Sequence, residues 1–410
     1  MKILLLTNEY PPNIYGGAGV HVEYLSRALA EHCPVDVRCF GEQAVSLPNL
    51  TVRGYSNGQD YSAPKELIRI FDAAKRCLDF NTSGINADLV HVHTWYTHLG
   101  GIIAKLNYGI PLVLTVHSLE PLRPWKQEQL GKGYDYSCWL EKTAIELSDA
   151  VIAVSQETKN DILRHFQISA DKITVIPNGI DLEEYHNVKE PERLARFGID
   201  PNKPYLLFVG RITRQKGIIH LIRAIKHLKT AMQIVLCASS PDTEEIAREM
   251  EEQLQEARTR HPGIIWIQEM VSLADKRALY SQAAIFCCPS VYEPFGIINL
   301  EAMACETPVV ATAVGGIKEA VADGITGILV PVELKDSLLA EPVNPEKFAH
   351  DLAKAIDHLM ADEPLRSRMG KAGRERASNL FSWDHVARQT LGLYETLHQR
   401  STPDARQCPA

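Results

Sequence analysis

Short, nearly unbroken apolar runs alternate along this chain with longer stretches whose apolar residues recur at helical spacing. The first part reads "KILLLTN", "VDVRCF", "DLVHVHTW", "PLVLTVHS", "DAVIAVS" and "ITVIPNG", interleaved with patterns such as "GVHVEYLSRALAEH" and "ELIRIFDAAKRCLDF". Continuous apolar runs suit strands buried on both faces, and their alternation with amphipathic helices predicts βα units and a parallel sheet. After the polar, uneven "DLEEYHNVKEPERLARFGIDPNKP" the pattern restarts with "YLLFVGR", "QIVLCAS", "IIWIQ", "AIFCCPS", "PVVAT" and "GILV". The expected boundary therefore lies near residues 182 to 204. The fold class is α/β: two doubly wound domains, each with its sites at the carboxyl ends of its strands, facing each other across a cleft. From Asn344 onward three helical segments close the chain, ending in "SWDHVARQTLGLYETLHQR" before a frayed tail, "STPDARQCPA".

Size and composition fit this picture. At 410 residues the chain exceeds what one core usually serves. A net charge of -8 and a pI near 6.0 argue against bulk nucleic-acid binding, while leaving room for a local cationic site for a phosphate. The acidic "REMEEQLQEAR" reads as a solvated helix face. Nine cysteines without metal-ligand spacing suggest reduced thiols. The opening apolar run is too short for a signal peptide, and no run approaches the length of a membrane span, so a soluble cytoplasmic protein is expected, with no membrane and no nucleic-acid partner.

Several groups carry candidate chemistry. In "GRITRQKG", directly after a strand, Arg211 and Lys216 flank a turn where two cations and backbone N–H groups suit a diphosphate; the plainer reading is a basic turn capping a helix. The spacing is not that of a P-loop. In "VYEPFGIINLEAMACETPVV" a helix is expected to start near Gly296, with Glu293 before its N-terminus and Glu301 more than one turn inside. The helix end favours an anion, and the carboxylates suit hydroxyls at the two ends of a nucleotide sugar. Each glutamate alone also reads as a helix-leading or surface acid. In "YGGAGV", Gly16 and Gly17 sit on a longer loop than a dinucleotide fingerprint allows; they suit close backbone approach to a ligand, or an ordinary βα turn. His91, His93 and His117 end two strands, and without an accompanying Cys or carboxylate in ligand spacing they do not indicate a metal.

Taken together, these motifs resemble the retaining GT-B glycosyltransferases of family 4. The resemblance covers nearly the whole chain and is carried by "EYPPNIYGGAGVHV", "HVHTW", "TVHSLEPLRPW", "AVSQETKNDI", "VIPNGID", "FVGRITRQKG" and "EPFGIINLEAMACETPVVATAVGGIKE". Within that family, "YGGAGVHVEYLSRALA" and the stretch from "HSLEPLRPW" to "DAVIAVS" look most like the actinobacterial-type glycogen synthases, which include enzymes that make maltose 1-phosphate from ADP-glucose and glucose 1-phosphate. The resemblance implies two Rossmann-like domains: an acceptor-side domain over 1–190, a nucleotide-sugar domain over 191–380, and a segment over 381–410 whose helix returns toward the first. It also implies a retaining glucosyltransferase using ADP-glucose or UDP-glucose, without a metal or other cofactor. Homodimerisation is one arrangement it allows.

Residue by residue, the resemblance gives Glu293 the hydroxyls of the donor glucose and Glu301 the ribose. Phe295, Gly296 and Ile297 line the sugar and diphosphate through their backbone, Arg211 and Lys216 neutralise the leaving diphosphate, and Gly16 and Gly17 close over the phosphates. His117 stands at the anomeric centre. For the acceptor, Arg123, Lys126 and Lys132 in "LEPLRPWKQEQLGKG" suggest a clamp for the phosphate of glucose 1-phosphate; a solvated loop with Trp125 stacking on a glucan ring is the alternative. Rival functions are a family 4 transferase with another nucleotide sugar and a lipid or small acceptor, a nucleotide-sugar epimerase, and a non-catalytic sugar-nucleotide binder.

Overall fold

The computed structural model describes residues 1–56, 61–239, 241, 243–335 and 341–401. The tail from 402 lies outside the described residues. The chain divides into two compact units: Met1–Gly179 together with the chain from Trp383 onward, and Ile180–Ser382. The first division falls just ahead of the polar stretch at 182–204, and the second places the last helix with the first unit.

The first unit is built on eight strands: β1 (Ile3–Thr7), β2 (Val35–Phe40), β3 (Ala44–Leu47), β4 (Leu50–Tyr55), β5 (Leu89–His93), β6 (Leu112–Val116), β7 (Ala150–Ala153) and β8 (Ile173–Val175). They are ordered β3-β4-β2-β1-β5-β6-β7-β8. All neighbours pair in parallel except β3 with β4, an antiparallel edge pair. β1, β5, β6 and β7 are buried along their whole length, as their unbroken apolar runs require. The pair β3–β4 escaped the sequence pattern because every residue of β3 is exposed, so burial leaves no mark on it.

The last helix, Trp383–Ser401, completes this unit's core. Its Trp383, Val386, Ala387, Tyr394 and Leu397 are buried with Ile3, Leu5, Val22, Leu25 and Val37. Trp383 stacks on Tyr24 with ring centroids 5.7 Å apart. Tyr394 Oη is hydrogen-bonded to His91 Nδ1 at 2.6 Å, and His91 Nε2 to Thr115 Oγ1 at 2.8 Å, so a polar chain threads from the helix through β5 to β6.

The second unit carries six parallel strands: β9 (Tyr205–Val209), β10 (Gln233–Cys237), β11 (Ile264–Ile267), β12 (Ile285–Cys288), β13 (Val309–Thr312) and β14 (Gly327–Val330), ordered β11-β10-β9-β12-β13-β14. The helices Ile218–Ile225 and Pro345–Ala361 supply much of its core, packed with residues of β9, β10 and β12. Asn344 caps the second of these helices by accepting from Lys347 N–H at 2.9 Å. The expected three closing helices are Pro345–Ala361, Glu363–Phe381 and Trp383–Ser401.

In both sheets the chain begins in the interior and then builds outward in the two directions. The order therefore reverses between β1 and β5 in one unit and between β9 and β12 in the other, the positions at which open α/β sheets place their sites, beyond the carboxyl ends of the strands. The eight cysteines among the described residues are free thiols. No helix among the described residues is long and apolar enough to cross a membrane.

The Tyr394 hydroxyl is the partner of a fully buried imidazole nitrogen. Tyr394→Phe leaves His91 Nδ1 unpaired and should lower the unfolding free energy by about 1–3 kcal/mol in urea denaturation. An unchanged midpoint would show that the contact contributes nothing net.

Candidate functional site

In the second unit, the turn after β9 and the segment after β12 meet at the point where strand order reverses. Gly217, with φ +65°, closes the turn, and a Cβ there would lie 2.0 Å from the Pro289 carbonyl oxygen. Val291 N–H donates to Gln215 O at 3.0 Å, fastening the two segments together. Lys216 consequently reaches Glu293: Nζ to Oε2 is 2.6 Å, and Ser290 Oγ donates to the same oxygen at 3.1 Å. Glu293 is buried and Lys216 half-buried, as is Arg211, two residues beyond β9. The expected anion-binding cation is thus held by the expected sugar-binding carboxylate.

The helix predicted near Gly296 spans Ile297–Ala304. Gly296 has φ +90°, a conformation that admits the turn, and a Cβ there would press on Asn299 Nδ2 at 2.6 Å. Phe295 turns its ring inward against Phe381, with centroids 5.8 Å apart, so this residue has only its backbone to offer a ligand. The first N–H groups of the helix have no carbonyl of its own to meet and carry the positive dipole end. Glu301 is no surface acid. It is buried, with Oε1 accepting from Tyr185 Oη and Lys276 Nζ, both at 2.9 Å, and Oε2 from Tyr280 Oη at 2.8 Å. A carboxylate has about four acceptor positions, so these three donors fix its plane and leave capacity for one more.

In the first unit, the loop after β1 is organised by Glu9, whose Oε2 accepts from Tyr15 N–H and Gly16 N–H, both at 2.8 Å. Gly16 precedes the helix Gly17–Ala30, and no atom stands within 4 Å of where its Cβ would be. The space beside Gly16 is therefore open, although its N–H is already engaged. The carboxylate and the glycine pair come from the same loop, but only the glycines announce themselves by residue type.

His93 ends β5, and His117 lies one residue past β6. His93 Nδ1 and His117 Nε2 share a hydrogen bond of 3.1 Å. His21, from the helix Gly17–Ala30, joins them: its ring centroid is 4.7 Å from that of His117 and 5.4 Å from that of His93. Its Nδ1 is hydrogen-bonded to Asn178 Oδ1 at 2.7 Å. One ring nitrogen from each of His21, His93 and His117 falls within 4.8 Å of the others. Linear spacing gave no sign of this cluster, because its members come from three separate elements. Burial pushes the His21 pKa down to about 4, and burial with neighbouring imidazoles holds His91, His93 and His117 well below the ordinary histidine range. His91, bonded to Tyr394 and Thr115, is a packing residue.

The basic loop after His117 is less free than its composition suggests. Lys126 Nζ pairs with Glu120 Oε1 at 2.7 Å, and Ser137 Oγ donates to Glu120 Oε2 at 3.0 Å. Glu120 N–H in turn donates to Glu141 Oε2 at 2.8 Å. Arg123 Nη1 donates to Ser118 Oγ at 3.0 Å and stands 3.8 Å from Glu120, while its Nε is buried without a partner. Burial beside Glu120 raises the Glu141 pKa to about 8. In this cluster two cations, Arg123 and Lys126, face Glu120 and a Glu141 that burial biases toward its neutral form, while burial also lowers the Lys126 pKa. Trp125 is half-buried in the turn Pro124–Lys126, and Lys132 is exposed just before the helix Gly133–Leu147. The two buried glutamates were hidden in the sequence, Glu120 as a loop acid and Glu141 as one polar position of a helix.

Comparison with known proteins covers both units. The model of Glycosyltransferase Family 4 matches residues 15–184, and that of Glycosyl transferases group 1 matches residues 189–376. The chain is 45% identical over 402 residues to the alpha-maltose-1-phosphate synthase of Mycolicibacterium smegmatis, covering 96% of this chain and 99% of that one. It is 29% identical over 425 residues to a glycogen synthase of Mycobacterium tuberculosis, covering 96% and 94%. Among solved structures, sucrose-phosphate synthase from Thermosynechococcus elongatus matches with a TM-score of 0.79 at 25% identity, over 98% of this chain and all of that one.

Two measurements test this description. A double-mutant cycle on Lys216→Met and Glu293→Gln should give a coupling of about 1 kcal/mol or more, because either single change leaves a half-buried or buried charge without its partner; zero coupling would dissolve the pair. The depressed histidine pKa values make the unfolded chain the better proton acceptor below its ordinary histidine pKa of about 6.5. Stability should therefore be fully present above that pH and be lost as pH falls toward about 4, the His21 value. Each histidine contributes up to about 1.4 kcal/mol per pH unit. Equal urea midpoints at pH 7 and pH 5 would contradict burial of the neutral imidazoles.

Proposed function

This chain belongs to the family 4 glycosyltransferases, is a glycosyltransferase of GT-B fold, and on that premise we propose that it transfers glucose, with retention, from ADP-glucose to glucose 1-phosphate, forming maltose 1-phosphate. The observation that carries this reading is full-length likeness to alpha-maltose-1-phosphate synthase, well above the likeness to glycogen synthase. Two cations, Arg123 and Lys126, gathered in the loop after His117 support an anionic acceptor over a neutral glucan. An α-1,4-glucan as acceptor is the second reading, favoured by the half-buried Trp125, whose ring suits stacking on a sugar; UDP-glucose is the alternative donor.

On this proposal the second unit holds the donor. Arg211, Lys216 and the start of the helix Ile297–Ala304 meet the diphosphate, on which charge develops as the bond to C1 breaks. Glu293 has two tasks: it fixes the Lys216 ammonium, and it accepts hydrogen bonds from the glucose hydroxyls. Glu301, its plane set by Tyr185, Tyr280 and Lys276, takes the ribose. Gly16 and Gly17 border the phosphates, and His117 stands at the anomeric carbon. The acceptor hydroxyl then attacks C1 on the face the diphosphate leaves. Water must be kept out while the sugar carries cationic character.

Incubation with ADP-glucose and either glucose 1-phosphate or glycogen should release ADP faster with glucose 1-phosphate and yield maltose 1-phosphate. Lengthened glycogen without the disaccharide phosphate would favour the second reading, and no turnover of ADP-glucose would refute this donor. Arg123→Ala should raise KM for glucose 1-phosphate about tenfold or more, the worth of one charge-assisted hydrogen bond, with less effect on glycogen. As pH rises, Glu141, whose pKa burial raises, gains its charge and Lys126, whose pKa burial lowers, is the first of the two cations to lose its own, so the cluster becomes less positive and KM for glucose 1-phosphate should climb. Glu141→Gln, which keeps the acceptor for Glu120 N–H, should flatten that climb; an identical pH profile would detach Glu141 from acceptor binding.

A further inference from the structure

We propose that His21, His93 and His117 form a binding site for one borderline divalent transition-metal ion of the Zn2+ type, with three imidazole ligands and a coordination position left for water or an incoming oxygen. Three elements converge to make it: the helix Gly17–Ala30, the end of β5 and the residue beyond β6. The ring nitrogens lie within 4.8 Å of one another, and the closest identified pair, His93 Nδ1 and His117 Nε2, is 3.1 Å apart. Nitrogens on a tetrahedral zinc with Zn–N of about 2.0–2.1 Å stand roughly 3.3 Å apart, so that pair already has the spacing and side-chain rotation can close the rest.

The surroundings also suit a metal ligand set. Asn178 Oδ1 can only accept, so His21 Nδ1 carries the hydrogen and Nε2 is left as a bare lone pair. That Nε2 is buried and has no hydrogen-bond partner. An imidazole anchored through one nitrogen, with its other lone pair unmet, is the usual arrangement of a metal-binding histidine. His91, though its ring centroid is only 4.2 Å from that of His93, is not a ligand because both its nitrogens are engaged.

A bound ion would occupy the His117 nitrogen. On the reading that places this ring at the donor sugar, Zn2+ would therefore hold the enzyme inactive until a chelator removed it.

Metal binding is measured directly, so the result does not depend on which sugar the enzyme transfers. The full-length protein is titrated with Zn2+ against a chromophoric chelator, and with Co2+ while its visible absorption is followed. One equivalent of Zn2+ per chain is expected, with intensified Co2+ bands of a four-coordinate site. His21→Gln should abolish the bands, and Asn178→Ala should weaken Zn2+ binding about 10- to 100-fold, as loss of a ligand's outer hydrogen bond does. Circular dichroism of each variant separates loss of the site from loss of the fold. No stoichiometric uptake by the folded wild type, or uptake that folded His21→Gln retains in full, would overturn the proposal.

Discussion

A strand buried on both faces has nowhere to carry polar chemistry except its ends, and that constraint shapes this protein. Both sheets are parallel apart from one edge pair, so helices cover their faces and the interior strands are mostly apolar, with buried polar groups such as His91 and Thr115 tied up in hydrogen bonds to one another and to Tyr394. Functional groups are therefore confined to the segments that leave the strands. The reversal of strand order then selects among those segments, since only there do the crossover helices diverge. Arg211, Lys216 and Glu293 in one unit, and the Glu9 loop in the other, follow strands that flank such a reversal; His93 is the last residue of such a strand, and His117 follows the next strand along.

The same constraint explains what could be read from sequence. Parallel strands buried on both faces write unbroken apolar runs, and twelve of the fourteen strands were legible in that way. The other two form the edge pair, in which β3 is exposed throughout and β4 alternates rather than forming an unbroken apolar run. Glu293, Gly296 and Glu301 were legible because proline, phenylalanine and glycine punctuate the start of their helix. Their partners were not. Tyr185, Lys276 and Tyr280 lie in ordinary polar or helical positions, and nothing local marks a residue as the orienting neighbour of another far along the chain. His21 was hidden for the same reason, and Glu120 and Glu141 because burial, the property that matters for them, is set by tertiary packing.

A recurring device joins these unseen partners. Lys216 with Glu293, Lys276 with Glu301 and Lys126 with Glu120 each pair a lysine with a carboxylate that is almost withdrawn from water. Such pairs contribute little net stability, because desolvation offsets the attraction. What they provide is direction. A lysine on a flexible stem becomes a fixed charge, and a carboxylate becomes a fixed plane. Preorganisation of this kind is what a site needs if its dipoles are to meet developing charge without first rearranging.

The placement of the helix Trp383–Ser401 within the first unit has a consequence for how the chain comes into being. The ribosome delivers residues in order, so the second unit, continuous from Ile180 to Ser382, has its whole sequence available before the first does. The first unit must wait, with the strand surface later covered by Val386, Tyr394 and Leu397 still bare, until the helix Trp383–Ser401 has been made. The unit that begins synthesis first is the one that can finish folding last.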